Sequence, residues 1–173
     1  MKLLNQKYRS IKAVLFDLDG TLIDSMSNHY AAWKSALNEE FLINIKPNDF
    51  YPLEGINLKK IPEILINKYN VQIKKIDTRA IIKKKENYYL KNKKLKYYPF
   101  VKQTIKLLKK RGIKTAIVTS GLRDRLYKSI PIKFLQEFNV IVTGDDTKIG
   151  KPSKMPFVKA MSKIGIKNKN CLK

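Results

Sequence analysis

Cysteine occurs once in this chain, as Cys171, and histidine once, as His29. A single thiol excludes an internal disulfide and any cysteine-cluster metal site, and it agrees with a reducing compartment. No apolar run approaches the roughly 20 residues of a membrane span, and the opening MKLLNQKYRSIK lacks the apolar centre of a secretory signal. The expectation is a cytoplasmic protein without membrane contact. Acids are also scarce: 14 Asp and Glu stand against 37 Lys and Arg, a formal charge of +23. Such a field attracts nucleic acid, anionic membranes or phosphorylated metabolites without choosing among them. A Lys-, Asn- and Ile-rich compositional bias, with the lysines on solvated faces, is the plainer alternative.

With 173 residues and 43% hydrophobic content, the chain can bury one ordinary core and a small inserted module. Residues 12–16 read as a strand buried on both faces, aliphatic without polar alternation. After Ser25, a candidate N-cap, MSNHYAAWKSALNEEF has helical spacing with Tyr30, Trp33 and Leu37 on one side. Helical patterns resume around Pro62 and from about Ile76 to Lys96, with no convincing strand between. From Pro99 the texture changes. PFVKQTIKLLKKRG predicts a helix ending at Gly112, IKTAIVTSG a second buried strand, Arg123–Ser129 a short helix, NVIVTG a third strand and Lys154–Ile164 a helix. Alternating strand and helix predicts an α/β fold with a doubly wound, Rossmann-like parallel sheet, interrupted after its first strand by an all-helical insertion. The run from Lys74 to Arg111 is strongly basic and holds only Asp77 and Glu86 as acids. Its interleaved Tyr88, Tyr89, Tyr97 and Tyr98 fit nucleic-acid binding on paper, but helix packing explains such spacing better, so nucleic acid is disfavoured as a partner.

Given that scarcity, the acids in AVLFDLDGTLIDS stand out: Asp17 and Asp19, two apart, end the first strand and are followed by Gly20. Residues two apart in a strand share a side, and ligands of open α/β sheets bind at the carboxyl ends of strands. A calcium loop counted from Asp17 fails, because its sixth and twelfth places hold Leu22 and Asn28 instead of Gly and Glu. GDDTKIGKP fails as a nucleotide P-loop, with one residue too many between its glycines and Pro152 where Ser or Thr must stand. Covalent phosphoryl chemistry remains, one carboxylate attacking phosphorus while its neighbour trades protons. Like charges so close call for a cation, and Mg²⁺ suits oxygen ligands and phosphate.

DLDGT from Asp17, VTSG at Thr119 and Ser120, and GKPSKMPF at Lys151 together resemble the three ordered motifs of the haloacid dehalogenase superfamily, in the branch with a small helical cap similar to β-phosphoglucomutase and sugar phosphatases. The resemblance implies a discontinuous core of residues 1–24 and 98–173 and a cap of residues 25–97. It implies that Asp17 is the nucleophile and a magnesium ligand, and that Asp19 is the general acid and base, its carbonyl also on the metal. Gly20 would let the chain turn close to phosphate, Thr119 and Lys151 would hold the transferring oxygens, and Ser120 would offer its backbone N–H. HYAAW resembles the segment that brings a histidine, here His29, near the acid-base aspartate. Lys85 matches a cap lysine, and Gly55 and Asn57 fall in the substrate-sensing loop. Leu58 stands where the mutase has a phosphate-binding arginine, which favours a phosphatase. Structural alternatives remain for each: a turn for Asp17 and Asp19, a helix cap for Thr119, a surface or core residue for His29.

The family's fourth motif, an acidic pair beyond the third, is absent before Lys173; Asp145 and Asp146 precede Lys151 and read as loop residues. The expectation is therefore an incomplete C-terminal core with weakened Mg²⁺ binding and low or no activity. The leading function is a magnesium-dependent phosphatase acting on a small phosphorylated metabolite. A sugar phosphomutase and a non-catalytic basic module that binds anions or nucleic acid stand as alternatives, and oligomeric state is left open.

Overall fold

The computed structural model describes residues 10–72 and 76–173, so residues 1–9 of the opening segment and Lys74 and Lys75 of the basic run lie outside the described residues. The chain enters β1 (Ala13–Phe16), then passes through α1 (Met26–Phe41), the one-turn α2 (Pro47–Phe50), α3 (Ile61–Lys68) and α4 (Thr78–Asn92). It returns through α5 (Val101–Lys110), β2 (Lys114–Val118), α6 (Arg123–Ser129), the one-turn α7 (Ile132–Leu135), β3 (Val140–Val142), α8 (Met155–Ile164) and β4 (Cys171–Leu172). The four strands form one parallel sheet in the order β3-β2-β1-β4, with Leu15 beside Ala116 and Ala13 beside Cys171.

Period-two alternation divides the strand residues between two helical layers. Ala13, Leu15, Ala116, Val118 and Val142 pack against Ala160, Met161 and Ile164 of α8. Ile117 faces the other way, onto Val101 and Ile105 of α5, Leu126 of α6 and Phe134 of α7. Both faces are covered, which is why the strands carry no polar alternation. A separate apolar cluster joins Trp33 and Leu37 of α1, Leu65 and Ile66 of α3, and Ile81 and Ile82 of α4. The outgoing and returning chains of this helical segment run side by side: Asp24 N–H donates to the Lys96 carbonyl at 2.8 Å and Tyr98 N–H to that of Leu22 at 3.2 Å.

Local chemistry sets most boundaries. Pro47 lies in the first turn of α2, and Asp77 caps α4 by accepting from the N–H groups of Arg79 and Ala80 at 3.1 and 3.0 Å. Gly112, at φ +67°, takes the left-handed conformation that turns the chain from α5 toward β2. Two expectations need correction. Ser25 precedes α1 but makes no side-chain cap, because its hydroxyl donates instead to Asp19 at 2.8 Å. Helix α7 had no sequence signal, since a single turn is too short to display periodicity.

Leu126 is fully buried between α6 and the sheet. Leu126→Ala should lower unfolding free energy by about 2–5 kcal/mol, the range for an incompletely collapsing core cavity, as read from the urea midpoint at unchanged slope.

Candidate active site

Strand β1 stops at Phe16, and the next residues reach the carboxyl edge of the sheet, where the two acids meet different surroundings. The Asp17 side chain keeps 34% exposure, and its Oδ1 accepts from Lys151 Nζ at 2.8 Å and from the Leu18 N–H at 2.9 Å. Its second oxygen has no partner among the described residues. Lys151 arrives from the loop before α8, with its ammonium 5.4 Å from the Phe157 ring centre.

Asp19 is enclosed. Arg125, from α6, grips both carboxylate oxygens, Nη1 to Oδ1 at 3.1 Å and Nη2 to Oδ2 at 2.7 Å. Ser25 and His29 Nε2 reach Oδ1 at 2.8 and 3.0 Å. Burial alone would raise the Asp19 carboxyl, but the Arg125 charge and the contact with His29 outweigh it and hold the group well below the usual carboxylate range. Lys85 Nζ lies 2.9 Å from His29 Nδ1 and 3.2 Å from Glu86 Oε1. A protonated lysine can only donate, so His29 accepts at Nδ1, carries its proton on Nε2 and donates to Asp19. Burial and the Lys85 charge lower the His29 pKa to about 4, so the ring is neutral at pH 7. Burial likewise lowers Lys85 to about 8, against the opposing pull of Glu86. The Tyr89 ring stacks on His29 with centroids 4.4 Å apart and lies 5.1 Å from the Arg125 guanidinium carbon. Arg125 Nε and Glu86 Oε2, 3.9 Å apart, have no hydrogen bond although both are buried.

The other predicted residues divide into two groups. Asp17, Asp19, His29, Gly55, Lys85, Thr119 and Ser120 line one cavity of about 70 Å³. Lys151 and Asn57 line an adjoining crevice with Thr119 and Ser120. The Thr119 hydroxyl accepts from the Gly121 N–H at 3.0 Å and lies 3.5 Å from Asp19 Oδ2. The helical segment is fastened over this edge: Ser120 Oγ donates to the Gly55 carbonyl at 3.0 Å, and Asn57 N–H to that of Lys151 at 3.2 Å. The Asn57 side-chain oxygen accepts from the Lys59 N–H at 3.0 Å, while its amide nitrogen lies against Gly150 at the crevice. Gly20 adopts φ +78°, the left-handed conformation that favours glycine, and the Glu54 carboxylate of the helical segment lies over it, its Oε1 2.1 Å from where a Cβ would stand. Asp145 and Asp146 are loop residues as expected, accepting from the Arg123 N–H at 2.7 Å and the Arg123 guanidinium at 2.6 Å.

No cluster of three or more His, Cys, Asp or Glu gathers among the described residues. The free Asp17 oxygen and the Asp19 carbonyl are hard oxygen donors. That small set fits Mg²⁺, which retains water and substrate oxygens around one or two carboxylates.

A family model described as haloacid dehalogenase-like hydrolase matches residues 14–172. The chain belongs to that family. It is 29% identical over 163 residues to the pyrophosphatase PpaX of Bacillus cereus (strain B4264), a match covering 94% of this chain and 73% of the relative. It is 30% identical over 159 residues to the phosphoglycolate phosphatase of Aquifex aeolicus (strain VF5), covering 90% and 71%. A solved hydrolase from Pseudomonas syringae superposes with TM-score 0.80 at 28% identity, over 92% of this chain and 74% of its own. Among the described residues, no helix of this haloacid dehalogenase-like hydrolase is long and apolar enough to cross a membrane.

Sequence reasoning missed Arg125, Glu86 and Glu54. Arg125 left one faint signal: a cation in the first turn of a helix opposes the helix dipole and so calls for a compensating acid. Glu86 left another, as one of the two acids in the basic run.

Replacing Arg125 by Met strands the buried Asp19 without its cation, and should destabilise the protein by about 3–5 kcal/mol in urea unfolding. For His29, the folded pKa of about 4 lies below the unfolded value of 6.5. The unfolded chain therefore binds more protons between those values, and stability falls as pH drops from 6.5 to 4 by up to about 3 kcal/mol. In chelator, His29→Asn should flatten the unfolding free energy over that window, leaving the steeper loss below pH 4 from Asp19.

Proposed function

We propose that the protein hydrolyses a small phosphate monoester, with Asp17 as the nucleophile. The observation that carries this reading is the pairing of Asp17 with Lys151 at 2.8 Å, which leaves one carboxylate oxygen free at the strand end toward which the Thr119 and Ser120 loop converges. A phosphoryl group seated there would have the Lys151 ammonium and the Thr119 hydroxyl against its oxygens, donors placed where negative charge grows. The Ser120 N–H, without a backbone partner among the described residues, is a further donor.

In the first half-reaction the free Asp17 oxygen attacks phosphorus, the phosphorus–oxygen bond of the ester breaks, and the leaving oxygen takes a proton from Asp19. In the second, water attacks phosphorus, its proton passes to Asp19, the bond to Asp17 breaks, and inorganic phosphate departs. Asp19 is ionised in its clamped state, so a proton must reach it before the first step. Contacts of 2.9 Å from Lys85 Nζ to His29 Nδ1 and 3.0 Å from His29 Nε2 to Asp19 Oδ1 offer a continuous route for it, uphill because each acceptor holds a proton less tightly than its donor. Lys85, at about 8, holds a proton it can release near neutral pH. Magnesium held by Asp17 and the Asp19 carbonyl would supply positive charge to the transferring oxygens and offset repulsion between the ester and Asp17.

Residues 25–97 act in this reading as a cap on a core of residues 1–24 and 98–173. A cavity of about 70 Å³ is small for an ester, which gains room when the cap lifts. The bonds from Ser120 to Gly55 and from Asn57 to Lys151 are the ones that must break.

Hydrolysis of p-nitrophenyl phosphate in Mg²⁺ should fall at least about 10³-fold in Asp17→Asn and about 10²–10³-fold in Lys151→Ala. Equal rates in the parent and Asp17→Asn would remove the assignment. With a hexose phosphate, inorganic phosphate is the expected product; an isomerised ester would indicate a mutase instead.

A further inference from the structure

We propose that Glu54 makes this site select phosphate esters whose leaving group is uncharged or cationic, and turn away those that carry a second anionic group. The proposal rests on the phosphatase reading and specifies its substrate class.

The cavity has two chemically distinct ends. At the sheet, Asp17, Thr119 and the nearby Lys151 belong to the transferring phosphoryl group. Toward the helical segment, where the rest of an ester must lie, the wall is Met26, Trp33, Phe50, Leu53, Ile56 and Leu58. Two acids line the cavity from that side: Glu86, paired with Lys85, and Glu54, whose carboxylate lies over Gly20. Glu54 has no ion pair among the described residues.

The two strong cations lining this cavity are already engaged. Arg125 uses both terminal nitrogens on Asp19, and Lys85 is bound to His29 and Glu86. Withdrawing either would leave a buried carboxylate uncompensated, at a cost that a surface lysine does not incur. A second phosphate or a carboxylate on the leaving group would therefore meet Glu54 with no cation to receive it. A hydroxyl-rich or amine-bearing group would meet an acceptor above an apolar floor. Glu54 is more than a third exposed, so solvent screens part of the repulsion and a discrimination of about tenfold is the expected scale.

The test compares two probes of similar size, glycerol 3-phosphate and 2-phosphoglycolate, which differ in a leaving-group carboxylate. The parent, Glu54→Gln and Glu54→Lys are compared by kcat/KM in Mg²⁺. The same Glu54 substitutions in an Asp17→Asn background are compared by calorimetric Kd. The parent should favour glycerol 3-phosphate by at least about tenfold, Glu54→Gln should narrow the ratio, and Glu54→Lys should invert it. A ratio that does not move across the series, as when Lys59 or Lys60 of the neighbouring turn receives the anion, overturns the proposal. So does a parent that prefers 2-phosphoglycolate. If no form releases phosphate but the Kd ratio shifts as stated, hydrolysis is refuted and the selectivity of the site stands. If neither probe binds or turns over, both fall.

Discussion

The carboxyl end of β1 is held by a buried set of charges that balances. Asp19 and Glu86 supply two negative charges, Arg125 and Lys85 two positive ones, and neutral His29 sits between them. Any one of these ions, alone in that environment, would cost several kcal/mol in lost hydration. Together they tolerate burial, which makes the set cooperative: each member is needed to compensate another. Its members come from the end of β1, from α4 and from α6, so the same charges that orient Asp19 also bind the helical segment to the sheet.

Because of that arrangement, two acids separated by one residue acquire different chemistry. Asp17 faces one lysine and keeps a free oxygen at a partly open edge. Asp19 is saturated with donors and tied to a histidine and a lysine whose proton affinities burial has lowered, and it stays ionised. The apolar wall and Glu54 on the helical side complete a site whose two ends differ in polarity and charge.

Much of the architecture was legible in local sequence. AVLF and TAIV, without polar alternation, announce strands covered on both faces. Pro47, Asp77 and Gly112 mark boundaries through backbone chemistry that any context preserves. Seven of the residues around the cavity at the strand end were legible too, because motif order tied Asp17, Asp19, Thr119 and Ser120 to strand ends and resemblance added His29, Gly55 and Lys85. Charge gave no such guidance. Among 37 cations, nothing in composition separates Arg125, buried on Asp19, from its solvated neighbours. Ser25 looked like a helix cap, yet its hydroxyl donates to Asp19, a choice that depends on what tertiary packing brings within reach.

The sequence by itself determined the alternation of strand and helix, the helical insertion after the first strand, and the placement of two carboxylates at a strand end. These follow from periodicity, turn chemistry and motif order, all properties of short stretches. Only the tertiary structure decided which cation meets which acid: Arg125 reaches Asp19 across 106 residues and Lys151 reaches Asp17 across 134. The physical reason is that ion pairing in a desolvated pocket depends on distance and enclosure, which the order of residues along the chain does not encode.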